Sequence, residues 1–385
     1  MFIAQLLSLI GSGLATIALG LLARDLAEAS AGVILGTALA IKMIAYVVVS
    51  PFATAISVRI PRKTFLVVLD LLRAGLVLAF PFASSLAHVY ILILLLYAIT
   101  AGFTPVFQAG IADIVTDDKN YIKALSLSRL AFNTENIISP IVAGLLLSVL
   151  TFNWIFVFTS IGFVGSAMFI AACKKEKRIH SVSDQSFVHR LTAGVVLFWQ
   201  IPRLQGLFVL NLSIALVGAN VLVNSIVIAD FVLFGGEQTY LQLLLVYGLG
   251  SFAAAFLLQY FMTLIGLRLT CLSAAFLVST ASALLWINPT FTGFYVTWAL
   301  IGFGMSLITT SSGLIIRSSS SEQDRPAIFA AQFSLSHACW LLTYPLVGWL
   351  GKEIGPVNVL FLTSGFAFII SILAIFIWKT SKSDP

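Results

Sequence analysis

Charged residues are scarce in this chain: Asp, Glu, Lys and Arg make up 9% of its 385 residues, against about 25% in ordinary soluble domains. This scarcity excludes a soluble domain of usual composition. Only four histidines and three cysteines are present, and Cys173, Cys271 and Cys339 are widely separated. We therefore expect no disulfide and no metal site. A nucleic-acid-binding domain is not expected either, because no soluble basic segment is long enough to form one.

Catalytic patterns are also lacking. The chain has no clustered His, Asp and Glu residues and no nucleophile with a recognisable base, so an enzyme is not expected. It has no Gly-rich Walker loop, which makes ATP-driven pumping by this chain alone an unfavoured interpretation. No cofactor is expected.

Apolar residues make up 60% of the chain, and the mean hydropathy is +1.06. They form twelve runs that approach or exceed the roughly 20 residues needed to cross a bilayer as a helix. Helices are expected because the runs lack the alternation of a membrane β-barrel. The predicted spans are 2–23, 31–57, 64–83, 88–112, 124–150, 153–173, 204–233, 240–262, 269–287, 291–316, 327–350 and 356–378.

The distribution of basic residues predicts the topology. With a cytoplasmic N-terminus, seventeen of the 21 Lys and Arg residues lie on the cytoplasmic side, two lie outside, and Lys42 and Arg73 lie within spans. Because basic residues concentrate on the cytoplasmic side of membrane proteins, this pattern predicts that both termini are cytoplasmic. The net charge of +6 is then a topology signal.

The longest polar stretch divides the spans six and six. We predict an N-terminal bundle at 1–173, a cytoplasmic linker at 174–203 and a C-terminal bundle at 204–385. A weak repeat supports the division, since Pro140 in the fifth span and Pro345 in the eleventh each follow a polar cytoplasmic loop. Equivalent positions in two halves are typical of duplicated transporters.

The connector after the second span has the sequence TAISVRIPRK from Thr54 to Lys63. It resembles the G-x-x-x-D-R-x-x-R-R/K loop of the major facilitator superfamily. Arg59, Arg62 and Lys63 match the basic positions, whereas Thr54 and Val58 stand where the family has Gly and Asp. In that family the Asp belongs to a charge network that helps to hold the outward-facing state, and this chain lacks it.

Other segments resemble the branch of this superfamily that contains macrolide-efflux and enterobactin-export proteins. They are Asp70–Ala74, Phe107–Leu147 and Gly248–Gly250. The resemblance covers essentially the whole chain. It implies an all-α integral membrane protein of twelve helices, in which two six-helix bundles rock around a central cavity lined by spans 1, 4, 7 and 10.

Two charged residues interrupt the apolar pattern near mid-depth. Lys42 in the second span and Glu135 in the fifth lie similar distances from opposite membrane surfaces. A central charge costs about 2.5–3.5 kcal/mol on insertion scales and therefore needs a partner. Glu135 is interpreted as a proton or cation carrier tuned by Lys42, or alternatively as one half of an ion pair that braces two helices. Asp230, near the outer end of the seventh span, is a further coupling candidate or an interfacial residue.

Several further residues are candidates for gating or for cargo binding. Asp70 and Arg73 are spaced by three, which suits an ion pair on one helix face. Gating candidates are Arg59, Arg62, Lys63, Asp70, Arg73 and Asp113. Cargo-binding candidates are Gln108, Asn133, Asn136, Asn220, Asn224, His337, Trp340 and Tyr344. The alternative for these polar and aromatic stripes is helix packing with a few buried hydrogen bonds.

These patterns favour a monomeric secondary active transporter of the bacterial inner membrane. The expected reaction is export of an amphipathic small molecule in exchange for protons, so the expected partners are cargo, protons and lipid. A siderophore, a metal complex or a lipid-like metabolite is the alternative cargo. A membrane sensor that transports nothing is the alternative from another class.

Overall fold

The computed structural model describes residues 2–27, 30–57, 60–114, 131, 134–135, 137–173, 187–320 and 324–378. Within these ranges the regular secondary structure is helical, and no β-strand occurs. The chain divides into two compact units, Met1–Ser183 and Asp184–Pro385.

The first unit is a bundle of long apolar helices. They are α1 (Phe2–Ala27), α2 (Ala31–Ser57), α3 (Arg62–Val77), α4 (Leu86–Ile114), α5 (Ile137–Leu147) and α6 (Asn153–Ala172). Helix α1 packs on α6, α2 packs on α4, and α3 contacts both α4 and α6.

The second unit has corresponding helices with two differences. Two of its predicted spans are joined in one long helix, α9 (Gly236–Thr280), and a short helix, α7 (Phe187–Gln200), precedes the spans. Its helices are α7 (Phe187–Gln200), α8 (Pro202–Val223), α9 (Gly236–Thr280), α10 (Phe291–Ser319), α11 (Arg325–Ile354) and α12 (Pro356–Ile377). Helix α9 packs most extensively on α10, while α8 contacts α11 and α12.

Length and composition make these helices membrane spans. Nine apolar stretches within the described residues are long enough to cross a bilayer, and the longest, Gly236–Ile287, covers two predicted spans. Of the two remaining predictions, 124–150 contains α5, and 327–350 lies within α11. Large apolar side chains such as Met168, Phe256 and Phe376 are exposed, as expected for surfaces that face lipid. The predicted all-α membrane fold is confirmed.

Four predicted spans differ in detail from the observed helices. The span predicted at 64–83 leaves the α-helix after Val77 and ends in a 3₁₀ turn at Phe80–Phe82, because Pro81 has no backbone N–H to continue the α pattern. The span predicted at 204–233 is interrupted at Asn224 and ends in a π-helical turn at Ile228–Val232.

The spans predicted at 240–262 and 269–287 meet in α9 at one non-helical residue. Gly266 has φ 77° and ψ 164°, a conformation that is essentially restricted to glycine. The predicted spans leave residues 263–268 between them, but the structure is helical on both sides of Gly266, so a single non-helical residue joins the two segments.

Helix α7 lies inside the stretch predicted as a cytoplasmic linker. Phe198 is fully buried, the Trp199 ring meets the Phe208 ring edge-on at 5.1 Å, and α7 packs against α11. The Gln205 amide also donates a hydrogen bond of 2.5 Å to the Trp199 carbonyl. The C-terminal part of the linker region is therefore an ordered helix that belongs to the second unit.

Glycines allow the closest helix contacts in both units. A Cβ on Gly162 of α6 would lie 3.1 Å from the Leu7 carbonyl of α1, and one on Gly250 of α9 would lie 2.0 Å from the Ala299 carbonyl of α10. Because lipid gives apolar helices little reason to associate, such close backbone approach is a main source of packing energy.

Candidate functional site

The first unit contains a closed ion pair between neighbouring turns of α3. The Arg73 guanidinium donates to Asp70, and both side chains are almost completely buried. Ser166 of α6 donates a hydrogen bond of 2.7 Å to the other Asp70 carboxylate oxygen. Arg73 also donates to the Ser8 hydroxyl of α1 at 3.1 Å. The pair thus connects three helices.

Two aromatic rings lie against the same guanidinium. The central carbon of Arg73 lies 4.1 Å from the Phe103 ring centroid and 4.5 Å from the Phe163 ring centroid. Cation–π attraction of this kind is strongest where water is excluded. The sequence spacing predicted the partner on α3, but it did not reveal the rings on α4 and α6.

Lys42 of α2 lies beside two tyrosine rings. Its ammonium nitrogen is 5.0 Å from the Tyr97 ring centroid and 5.8 Å from that of Tyr46. The two rings meet edge-to-face, 6.4 Å apart at 87°. Tyr97 is 5% exposed, and its hydroxyl oxygen has no hydrogen-bond partner among the described residues. The ammonium is therefore held in a partly buried, partly aromatic environment.

Glu135 lies two residues before α5 and is electrostatically coupled to Lys42. Its position against α1 depends on Gly13, since a Cβ there would lie 3.1 Å from the Glu135 side-chain Cγ and 2.2 Å from the Ser139 hydroxyl. Ser139 in turn donates a hydrogen bond of 3.5 Å to the Ile10 carbonyl. Lys42 and Glu135 come from distant segments of the chain, and the assignment of Glu135 as a proton carrier tuned by Lys42 stays a prediction.

Some predicted residues lie outside this description. Arg59, Asn133 and Asn136 are not among the described residues, and the side chains of Gln108 and Asp113 are not described. Arg62 begins α3. Lys63 donates a hydrogen bond of 2.7 Å to the Cys173 carbonyl at the end of α6. A positive charge is favourable there because the helix dipole is negative at the C-terminus.

The second unit contains an equivalent contact that sequence reasoning missed. Arg268 donates to the Trp378 carbonyl at 2.9 Å and to the Ile375 carbonyl at 3.0 Å, at the end of α12. In each unit, a basic residue close to the start of the third predicted span thus binds the end of the last helix. The only sequence signal was that Arg268 stands near the place of the family loop.

Asn220 and Asn224 occupy one face of the helix, as predicted, and both are completely buried. The Asn220 side-chain amide donates to the Thr363 hydroxyl of α12 at 3.0 Å, and the Asn224 side-chain amide donates to the Asn220 side-chain oxygen Oδ1 at 3.1 Å. The Asn224 side-chain oxygen has no hydrogen-bond partner among the described residues and packs against Gly351. These contacts favour the packing interpretation of the asparagine stripe.

Asp230 lies in the π-helical turn at Ile228–Val232 and is partly buried. The turn follows the break at Asn224, where Ser225 receives a hydrogen bond of 2.8 Å from the indole nitrogen of the buried Trp298. Irregular backbone inside a membrane is tolerated where protein surrounds it. Asp230 is thus on a distorted end of the span, as its position near the outer boundary suggested.

The predicted stripe on α11 forms part of an aromatic cluster. The Trp340 and Tyr344 rings stack at 5.1 Å, and His337 contacts the Phe333 carbonyl through Nδ1 at 2.7 Å. Trp340 also reaches Gly218 of α8, where a Cβ would lie 2.8 Å from the indole and 2.6 Å from the Met305 sulfur. Sequence spacing found the aromatic stripe but gave no sign of the Gly218 and Met305 contacts.

Metal chemistry has no support from residue clustering. Within the part of the chain that the structure describes, no three His, Cys, Asp or Glu side chains are close enough to hold a metal ion.

The family model of the Major Facilitator Superfamily matches residues 1–242, more than half of the chain. The chain therefore belongs to the major facilitator superfamily and is a multi-pass membrane transporter rather than an enzyme. A search of curated proteins gave no match.

Solved structures of other transporters share the fold at low sequence identity. A POT family transporter in complex with 5-aminolevulinic acid gives a TM-score of 0.77 at 13% identity, with 97% of this chain and 94% of that chain covered. The nucleoside transporter NupG gives 0.74 at 12%, with 99% and 98% covered. A bacterial homolog of the human lysosomal transporter Spinster, inward-facing and unoccupied, gives 0.68 at 13%, with 98% and 95% covered.

Proposed function

We propose that this transporter exports an amphipathic small molecule from the cytoplasm of a bacterium in exchange for protons. It would work by alternating access, as a monomer in the inner membrane with both termini cytoplasmic. The resemblance of Phe107–Leu147 and Gly248–Gly250 to the macrolide-efflux and enterobactin-export branch supports export as the direction. The observation that carries the proposal is Glu135, a partly buried carboxylate within the first unit on which the Lys42 charge acts.

Glu135 has the properties of a proton carrier. It is a carboxylate within the first unit, it is partly buried, and Lys42 is its nearby countercharge. Lysine stabilises the ionised carboxylate, whereas exclusion of water stabilises the protonated one. The two influences oppose each other, so cargo that changes the local hydration would change proton occupancy. This is the link that exchange requires.

Other residues are proposed in supporting roles. Asp70 and Arg73 would brace the first unit or take part in gating, and Lys63 would hold the end of α6 during the conformational change. His337, Trp340 and Tyr344 present a combined polar and aromatic surface suited to amphipathic cargo. Asn220 and Asn224 are weaker cargo candidates because both are buried against other helices.

Reconstituted vesicles with an imposed pH gradient test the proposal. Labelled chloramphenicol, erythromycin and enterobactin would be compared for transport in the direction opposite to the flow of protons. Glu135→Gln should abolish proton-driven movement but retain exchange of labelled for unlabelled cargo, since that exchange needs no proton. The matched control is Glu353→Gln, at an exposed carboxylate near the end of α11, which should behave like the wild type.

Two results would contradict the proposal. Full proton-driven transport by Glu135→Gln would leave the Lys42–Glu135 pair as a structural brace. Absence of movement for every compound, in either direction, would favour the sensor alternative.

A further inference from the structure

The hydroxyl of Tyr97 is a buried polar group without a hydrogen bond. Tyr97 is 5% exposed, and its hydroxyl oxygen has no partner among the described residues. A threonine in a helix can bond to a carbonyl of its own helix, as Thr100 does to the Leu96 carbonyl at 2.7 Å, but a tyrosine hydroxyl lies too far from its own backbone. Buried tyrosine hydroxyls therefore usually find a partner elsewhere, as Tyr295 of the second unit does on the Gln242 side chain.

A positive charge lies beside the ring that carries this hydroxyl. The Lys42 ammonium nitrogen is 5.0 Å from the Tyr97 ring centroid and 5.8 Å from that of Tyr46, and the two rings meet edge-to-face. Lys42 and Tyr46 are partly exposed, whereas Tyr97 is buried behind them. The three side chains therefore offer hydrogen-bond donors and aromatic surface in one place, and two of the three are accessible.

The equivalent level of the second unit is closed. Gly302 stands as far from the start of α10 as Tyr97 stands from the start of α4, and these two helices are the fourth predicted spans of their halves. A Cβ on Gly302 would lie 2.1 Å from the Tyr247 carbonyl of α9, and Ser251 donates to the Gly302 carbonyl at 3.1 Å. Backbone contact alone thus packs the helices at this level. The polar and aromatic side chains between α2 and α4 exceed what packing requires, which favours a binding role.

We infer that Lys42 and Tyr97 bind an oxygen-bearing polar group of the cargo, such as an amide, an ester or a ketone, with the Tyr46 ring against its apolar part. The inference rests on the proposed transport of an amphipathic small molecule but not on a proton site at Glu135. The Tyr97 hydroxyl would donate its hydrogen to the cargo oxygen, and the Lys42 ammonium, on its flexible side chain, would donate another. Because hydrogen bonds are stronger where water is excluded, these two would fix the orientation of the cargo.

Removal of the Tyr97 hydroxyl should weaken cargo binding without a loss of stability. Tyr97→Phe deletes one oxygen atom that has no partner among the described residues, so unfolding in SDS micelles should match that of the wild type. Equilibrium binding of labelled chloramphenicol, erythromycin and enterobactin to the purified protein should weaken by roughly three- to tenfold, the equivalent of one hydrogen bond. Tyr260→Phe, at a ring of α9 that is 62% exposed, is the matched control and should bind like the wild type.

Chemical replacement of the ammonium tests the part of Lys42. Lys42→Cys, in a protein whose three native cysteines are replaced by alanine, should bind cargo weakly. Its thiolate should displace methanesulfinate from 2-aminoethyl methanethiosulfonate, and the disulfide so formed restores an ammonium group and should restore most of the binding. The uncharged product of methyl methanethiosulfonate should not. Saturating cargo should slow the reaction severalfold, whereas Ile44→Cys, at an exposed apolar position of the same helix, should react slowly with or without cargo.

Several results would overturn the inference. Unchanged binding by Tyr97→Phe is one, and a clear loss of stability in this variant is another, since it would mean that the hydroxyl has a structural partner. Failure of Lys42→Cys to react, or a reaction that no compound slows, would also overturn it. If the cysteine variant does not fold, Lys42→Met replaces it and should bind cargo weakly, whereas Lys42→Arg should retain binding.

The two proposals fail in different ways. Cargo binding that depends on Lys42 and Tyr97, without proton-driven transport of any compound, supports the inference and refutes export. Proton-driven export by Tyr97→Phe with an unchanged KM supports the proposed function and refutes the inference.

Discussion

Loss of the Asp70 carboxylate should destabilise the first unit strongly, because it isolates a buried guanidinium. In Asp70→Leu, Arg73 keeps its hydrogen bond to Ser8 but loses its ion-pair partner. Breaking a buried ion pair by removing one member costs about 3–5 kcal/mol. The rings of Phe103 and Phe163 contact Arg73 in both proteins and therefore do not offset this loss.

Removal of both charges should restore most of that stability. A buried ion pair can often be replaced by apolar residues without loss, or with a gain of about 1–4 kcal/mol. The double variant Asp70→Leu/Arg73→Met also has no buried charge that must be desolvated. Its free energy of unfolding should therefore lie close to that of the wild type, with a coupling energy of at least about 3 kcal/mol.

Equilibrium unfolding in mixed micelles with increasing SDS, followed by circular dichroism, would measure the four proteins of this cycle. Additive losses for Asp70→Leu and Arg73→Met would refute the ion-pair argument. Transport by the double variant then separates two roles. A stable double variant that transports normally has lost only a brace, whereas a stable one that cannot transport has lost a gating pair.

Three further predictions concern helix contacts. Gly250→Ala should lower the melting temperature in detergent, because its Cβ would collide with the Ala299 carbonyl. Overpacking of this kind costs about 1–3 kcal/mol. Gly365→Ala is the control and should not lower the melting temperature, since Gly365 has open space around it. Arg268→Gln should accelerate hydrogen exchange at the end of α12, since two charge-assisted hydrogen bonds to terminal carbonyls are lost; unchanged exchange would contradict that capping role. Asn220→Leu should lower stability by about 1–3 kcal/mol because its partners lose their hydrogen bonds, with an unaltered KM; a raised KM at full stability would instead indicate cargo contact.

The sequence was sufficient for the features that depend on length and periodicity. Twelve apolar runs predicted the membrane helices, whereas the contact between Lys42 and Glu135 that their depths in oppositely directed spans suggest stays a prediction. The asparagine spacing also predicted correctly that Asn220 and Asn224 share a face. Spacing does not say which neighbouring helix covers that face, however, and the neighbour turned out to be α12.

Features that depend on neighbours distant in the chain could not be predicted. The two rings that cover Arg73 come from α4 and α6, and the carbonyls held by Lys63 and Arg268 lie more than 100 residues away. Helix α7 was missed for a different reason. Its polar start placed it in the linker, although the burial of Phe198 against the second unit shows that its apolar end is part of the bundle.

The connection at Gly266 restricts how the two segments of α9 can move. A loop of several residues would let neighbouring helices slide along each other, but a junction of one residue offers little more than a single φ, ψ pair. Relative motion of these segments is therefore a pivot about two torsion angles rather than a translation. In any conformational change of the second unit, the two segments therefore move together and stay joined at Gly266.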